Sequence, residues 1–202
     1  MRSASLITDE GSYADAFRRL MRSVCGTGAP HLFVGSVALH LYGIVAHASD
    51  FRVCVRPAER GKVKALVEHA GFAASPGKEW TLYDPGTQLE ATFLASGDYA
   101  GDRFRFPEVR LPDPAEAVER EGVPVPKLER LVELCLVTGR EQDAASAVEL
   151  IRVNALDESF AGRLAPATRG ISLDCVARRI GEDGCDPRRR DADDVQGRRL
   201  RP

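Results

Sequence analysis

The sequence predicts an α/β (α+β) chain: a mixed sheet flanked by helices, followed by a helical C-terminal subdomain. Three observations lead there. Residues 50–55 alternate strictly, with Phe51, Val53 and Val55 on one side and Asp50, Arg52 and Cys54 on the other. That is the period of a strand with one buried face. Apolar residues at helical spacing stand before and after this strand, as in a layered α/β unit. From Asp113-Pro114 onward the pattern becomes mostly helical, interrupted by the extended Gly122-Val-Pro-Val-Pro126.

In chain order, Tyr13, Phe17, Leu20, Met21 and Val24 recur at helical spacing within 9–25, and Gly26 is placed to stop that helix. His31-Leu-Phe-Val-Gly-Ser36 reads as a short strand and a turn, followed by a short helix ended by Gly43. After the strand at 50–55, Pro57 opens a helix whose Val63, Leu66, Val67 and Ala70 face inward, with Gly71 at its end. A hairpin pairs 79–83 with 88–94 across Asp84-Pro-Gly-Thr87, and Trp80 reads as part of its core. Its second arm shows Gln88, Glu90, Thr92 and Leu94 on one face, so Glu90 shares a surface with Asp50 if the two strands are neighbours.

Leu128, Leu131, Val132, Cys135 and Leu136 form one helical stripe, and Ala144, Ala147, Val148 and Ile151 a second, with Gly139 between them. A shorter helix follows over 157–164. Beyond Pro166 the chain is rich in Arg and Asp with only a brief apolar pattern at Ile171, Leu173, Val176 and Ile180, which predicts a mostly disordered charged tail. The expected division is therefore an α/β core over 1–108, a helical subdomain over 109–165 and the tail over 166–202.

With 202 residues, 44% of them hydrophobic, the chain is long enough for one substantial core and an appendage. A net charge of -2 gives no general reason to bind nucleic acid or an anionic membrane, so there is no strong DNA-binding signal. The Arg188-Arg-Arg190 cluster is largely neutralised by Asp186, Asp191, Asp193 and Asp194. No apolar run is long enough to span a membrane and Met1–Thr8 lacks a signal-peptide core, which predicts a soluble, cytoplasmic protein. Five dispersed cysteines, none in a C-x-x-C pair, argue for reduced thiols and against a zinc site. His40 and His47 lack partners at a recognisable spacing and read as packing or surface residues.

The order Gly35-Ser36, Tyr42-Gly43, Asp50-Phe-Arg52, Glu90 and Val123-Pro-Val-Pro126 resembles the DNA polymerase β-like nucleotidyltransferase superfamily. More narrowly it resembles the minimal, AbiEii-type members found in toxin-antitoxin and phage-defence systems. The likeness runs from Leu32 to about Leu164. It implies a nucleotidyltransferase palm-like sheet in which carboxylates hold two magnesium ions that orient a nucleoside triphosphate and activate an acceptor hydroxyl. On that pattern Asp50 and Glu90 are the catalytic and metal-binding acids. Gly35 and Ser36 lie at a helix N-terminus suited to the triphosphate, and Arg52 is placed to contact a phosphate.

The chain also departs from the family pattern. Arg52 replaces the second acid of Asp-x-Asp, Ala46-His-Ala-Ser49 lacks the usual Arg and Thr, Cys135 takes the place of a Lys, and Ser146 that of an Asp, while Asp143 remains. Arg supplies no metal ligand and brings a cation to where two dications belong. An ion pair with Asp50 is the plainer role for Arg52. The resemblance therefore implies a weakened magnesium site and a triphosphate ligand, in a protein atypical or inactive in transferring a nucleoside monophosphate to a hydroxyl. The alternative is a noncatalytic binding component of a toxin-antitoxin or phage-defence module with a cognate protein or RNA partner.

Overall fold

The computed structural model describes residues 11–44 and 50–183. Its centre is a five-stranded mixed sheet built from β1 (His31–Val34), β2 (Asp50–Val55), β3 (Ala73–Ala74), β4 (Thr81–Tyr83) and β5 (Glu90–Ala95). The spatial order is β1-β2-β5-β4-β3. All pairs are antiparallel except β2 and β5, which run parallel with Asp50 opposite Glu90 and Arg52 opposite Thr92. A parallel pair needs a long crossover, and here the helix α3 (Arg60–His69) and the β3–β4 hairpin supply it.

The alternation read in β2 sorts its side chains as expected. Phe51, Val53 and Val55 are fully buried, and with Phe93 of β5 they meet the helix α1 (Ser12–Gly26) and α3 in the main core. Phe17 of α1 lies edge-on to Phe33 at 5.2 Å between centroids and tilted against Phe51 at 5.7 Å. These ring contacts add to the area the aromatics bury. On the opposite face Leu32, Val34 and Cys54 form a smaller cluster with Leu134. Cover on that side is incomplete, and the remaining space is the cavity described below.

The Gly35 turn leads into α2 (Ser36–Leu41), and Tyr42 at its end donates its hydroxyl to the Pro126 carbonyl at 2.8 Å. This ties the sheet to the extended segment, which is a strand, β7 (Val123–Val125), paired antiparallel with β6 (Val118–Arg120). The helices α4 (Leu128–Val137), α5 (Glu141–Val153) and α6 (Glu158–Ala161) follow as expected.

Three expectations need correction. Leu66 and Ala70 are exposed, because α3 buries only Val63 and Val67 against the sheet. Trp80 is half-buried just before β4, with the Arg60 guanidinium 4.0 Å above its ring, rather than in the hairpin core. The tail expected from 166 begins as a helix, α7 (Pro166–Asp183), which packs on α4, α5 and α6. Its inner face is Thr168, Ser172, Cys175 and Val176. Glu133 of α4, itself buried, binds Arg130 at 2.7 Å and accepts from Ala165 N at 2.5 Å, fixing the approach to α7. His47 and the rest of 45–49, Arg188-Arg-Arg190 and Cys185 lie outside the described residues. Among the described residues none of the four cysteines is in a disulfide and no helix is long and apolar enough to cross a membrane.

The hairpin turn contains the most buried carboxylate of the sheet. Asp84 is 1% exposed, and burial alone would raise its pKa. Bonds from Thr87 Oγ1 at 2.7 Å, Thr87 N at 3.1 Å and Arg19 at 2.7 Å outweigh that and hold it below the usual value. Because the folded value lies below the unfolded one, this stabilisation is present above the ordinary Asp value, near 3.9, and is lost as the pH falls through the folded value. Replacing Asp84 by Ala leaves Arg19 and Thr87 without their acceptor. It should lower unfolding free energy at pH 7 by about 1–3 kcal/mol in urea titrations. The difference between the two proteins should shrink below about pH 4; an unchanged urea midpoint at pH 7 would contradict this assignment.

Candidate functional site

The open face of the β2–β5 pair forms one wall of a cavity of about 580 Å³. Asp50, Arg52, Glu90 and Thr92 project from the strands into it. Leu131, Leu134 and Cys135 of α4 close the opposite side. Parallel register sets Asp50 beside Glu90, and neighbouring strands lie about 4.8 Å apart. The two acids read from the sequence thus share one surface.

Each acid is matched by a cation of the protein. Arg52 Nε donates to Asp50 Oδ2 at 2.7 Å. Lys78, on the loop between β3 and β4, places Nζ 2.6 and 2.8 Å from the two Glu90 oxygens, and Ser75 Oγ donates to Oε1 at 3.3 Å. The bond from Lys78 is the main reason the Glu90 carboxyl titrates below its ordinary range. Asp143 of α5, also on the cavity wall, receives Arg140 Nε at 2.8 Å. Asp50, Glu90 and Asp143 are thus each paired with a cation, and a fourth carboxylate, Asp102, also lines the space.

Gly35 of the Gly35-Ser36 turn lines the same space, whereas Ser36 does not. Gly35 has φ +65 and ψ -136, a conformation costly for any residue with a Cβ. Room is not the issue, since a Cβ there would sit 3.4 Å from Arg52 Cδ, an ordinary contact. The Arg52 stem thus lies along the turn while its guanidinium reaches back to Asp50. Ser36 Oγ donates to the Asp50 carbonyl at 2.7 Å, so the hydroxyl braces the strand that carries the acid.

Cys135 is buried at the cavity wall, and burial followed by the negative charge of Asp143 pushes its thiol up to about 12. It stays protonated near neutrality and offers no nucleophile. His40 lies in α2 and does not line the cavity.

The donor set does not suit a pair of magnesium ions. Such ions need several oxygen ligands at about 2.0–2.1 Å. Here both strand acids are engaged by cations, the position two residues beyond Asp50 holds a guanidinium, and no cluster of three His, Cys, Asp or Glu able to hold a metal occurs among the described residues. Lys78 and Arg140 are the site residues the sequence reading missed. Lys78 sits in a loop with no periodicity to mark it, 12 residues from its partner.

No protein-family model matches the chain, and neither does any curated protein. Among solved structures it is similar to the antibiotic-resistance factor ANT(2'')-Ia in solution, with 12% identity, a TM-score of 0.46, and coverage of 83% of this chain and 92% of that one. The crystal structure of ANT(2")-Ia in complex with adenylyl-2"-tobramycin gives 15% identity and a TM-score of 0.45, covering 75% of this chain and 98% of that one. JHP933 from Helicobacter pylori gives 17% and 0.45, with 74% and 72% covered. At this level the likeness is one of backbone arrangement, and the chemistry must come from the residues of the cavity.

If Lys78 is what depresses Glu90, replacing it by Met should return the Glu90 carboxyl toward the ordinary glutamate value near 4.3. Carbon-13 NMR titration of the side-chain carboxyls would show the resonance moving; a midpoint that stays put would mean that the pair does not form in solution.

Proposed function

We propose that this chain is a nucleotidyltransferase-like cytoplasmic protein that takes a nucleoside triphosphate in the β2–β5 cavity but has a degenerate metal site. Transfer of a nucleoside monophosphate to a hydroxyl acceptor is then slow or lost. The observation that carries this reading is the Arg52 guanidinium on Asp50 at 2.7 Å, beside Glu90 in register. The motif order ending in Val123-Pro-Val-Pro126 before α4 supports the minimal, AbiEii-type subgroup.

Electrostatics gives the scale of the change. At an effective dielectric of about 20, a dication 4 Å from a guanidinium is opposed by roughly 8 kcal/mol, reduced further where water reaches the pair. A carboxylate in that place would have attracted it by a similar amount. Magnesium in a fully assembled site polarises the transferring phosphate and activates the attacking hydroxyl. In this chain Asp50 and Glu90 are the residues that would hold it, and both are engaged elsewhere.

What the residues can do is bind. Arg52 spends Nε on Asp50, and no hydrogen bond to its Nη groups occurs among the described residues. That leaves donors for phosphate oxygens, which guanidinium groups meet in a two-pronged fashion. Lys78 and Arg140 stand on the same cavity as further cations. Apolar side chains Leu39, Leu94 and Leu111 offer walls for a base or sugar.

Thermal-shift measurements with ATP, GTP, CTP and UTP test this directly. At least one nucleotide should raise Tm without magnesium, and the Arg52→Asp variant should bind it only when magnesium is added. Rapid magnesium-dependent turnover by the unaltered protein, abolished in Asp50→Asn, would remove the degenerate-site reading; no nucleotide effect on Tm in either protein would remove the nucleotide reading.

A further inference from the structure

The segment 99–110, in the loop between β5 and the turn at Pro114, plays no part in the nucleotide reading. Its sequence, Tyr99-Ala-Gly-Asp-Arg-Phe-Arg-Phe-Pro-Glu-Val-Arg110, interleaves arginine with aromatic rings. Backbone pairs close its base: Gly97 N donates to Leu111 O at 2.9 Å, Leu111 N to Asp98 O at 2.8 Å, and Ala100 N to Val109 O at 3.2 Å. Its underside is anchored by Phe106 and Val109, which bury themselves against Val137 at the end of α4. Gly101 passes so close that a Cβ there would lie 1.9 Å from the Val137 carbonyl oxygen. The loop is therefore held in a defined shape.

Its outer side is aromatic and basic. Phe104 is 82% exposed and Tyr99 42%. Arg103 lies over Phe104 at 4.7 Å, Arg105 over Phe106 at 5.1 Å, and Arg110 over Tyr99 at 3.6 Å. Among the described residues no carboxylate forms an ion pair with Arg103 or Arg105. Two nearby acids are committed to backbone donors: Asp102 Oδ1 accepts from Phe104 N at 2.8 Å and Glu108 Oε1 from Ala167 N at 2.9 Å. Tyr99, Ala100, Gly101 and Asp102 reach the cavity rim, whereas Phe104 does not.

We infer that this loop is a stacking platform for single-stranded nucleic acid, with unpaired bases laid on Phe104 and Tyr99 and phosphates met by Arg103 and Arg105. Every base has a π face, so aromatic rings hold a single strand without reading its sequence, and guanidinium planes both stack and bind phosphate. The rings stand singly between arginines instead of forming a continuous apolar patch, which is unlike the core of a protein interface. A duplex keeps its bases stacked inside and cannot use the platform. A strand held there runs along the rim of the cavity. The platform stands on its own contacts and does not depend on the nucleotide reading.

The test is fluorescence anisotropy of ten-residue oligouridylate and oligothymidylate, each labelled with fluorescein, titrated with the full chain. One or both should bind saturably. With about two phosphate contacts the logarithm of the affinity should fall with that of salt with a slope of about -1.4. Phe104→Ala should weaken binding roughly tenfold with Tm unchanged, and the Arg103→Ala, Arg105→Ala double variant should weaken it and flatten the salt slope. A preference for uridylate would assign recognition of the 2'-hydroxyl, and equal binding would assign single strands of either kind. No binding of either oligomer, equal binding of a duplex, or affinity untouched by Phe104→Ala would overturn the inference. Phe104→Ala should also retain any nucleotide-induced rise in Tm, so failure at the loop and failure in the cavity are read separately.

Discussion

The parallel pairing of β2 with β5 is the constraint on which the site depends. It sets Asp50 against Glu90 and Arg52 against Thr92, and in the same stroke buries Phe51, Val53 and Phe93 against α1 and α3. Side chains alternate with a period of two, so a slip of one residue would turn phenyl rings into the cavity and carboxylates into the core. Core packing and site geometry are thus one choice of register. The apolar face specifies it strongly, since Phe51 and Phe93 are fully buried and each is worth roughly 1.5–3 kcal/mol when removed from water.

Much of this was legible from residues alone. The alternation of β2 exposed both faces of the strand, and the Asp84-Pro-Gly-Thr87 turn fixed the hairpin that brings Glu90 to hand. Adjacency of Asp50 and Glu90 could only be conditional, because strand order is set by packing across the chain. Lys78 was invisible for a similar reason: its meaning comes from a partner in a neighbouring strand. The helix α7 escaped because its inner face is Thr168, Ser172, Cys175 and Val176. The spacing is helical, but the side chains are small and partly polar, so a search for apolar periodicity finds little. Leu66 erred in the other direction, an apolar residue at helical spacing on a helix that buries only a narrow stripe.

Three of the four acids lining the cavity are answered by a cation. Arg52, Lys78 and Arg140 each answer one acid, and the pairs reach into β2, the β3–β4 loop and α5. Arg52 is more than a lost carboxylate, because its stem lies along the Gly35 turn and its guanidinium holds Asp50, whose carbonyl Ser36 braces. A new acid at that position would leave Lys78 on Glu90. The site departs from metal chemistry at two strand positions by two separate cations.

The same pairs treat a metal and a phosphate unequally. Ion pairs reached by water are worth about 0–1 kcal/mol each, so a ligand that reorganises them loses little. A dication must take the oxygens that the cations now hold and remain close to those cations afterwards, so their repulsion stays in the bound state. A phosphate bound as proposed would meet the cations without displacing the acids, since Arg52 spends only Nε on Asp50. The acids then lower the net attraction without abolishing it, and affinity falls to the shape of the cavity and its apolar walls. On the proposed reading, a space lined this way would discriminate by fit and hydrogen bonding rather than by charge, as a binding site does more than a two-metal transferase.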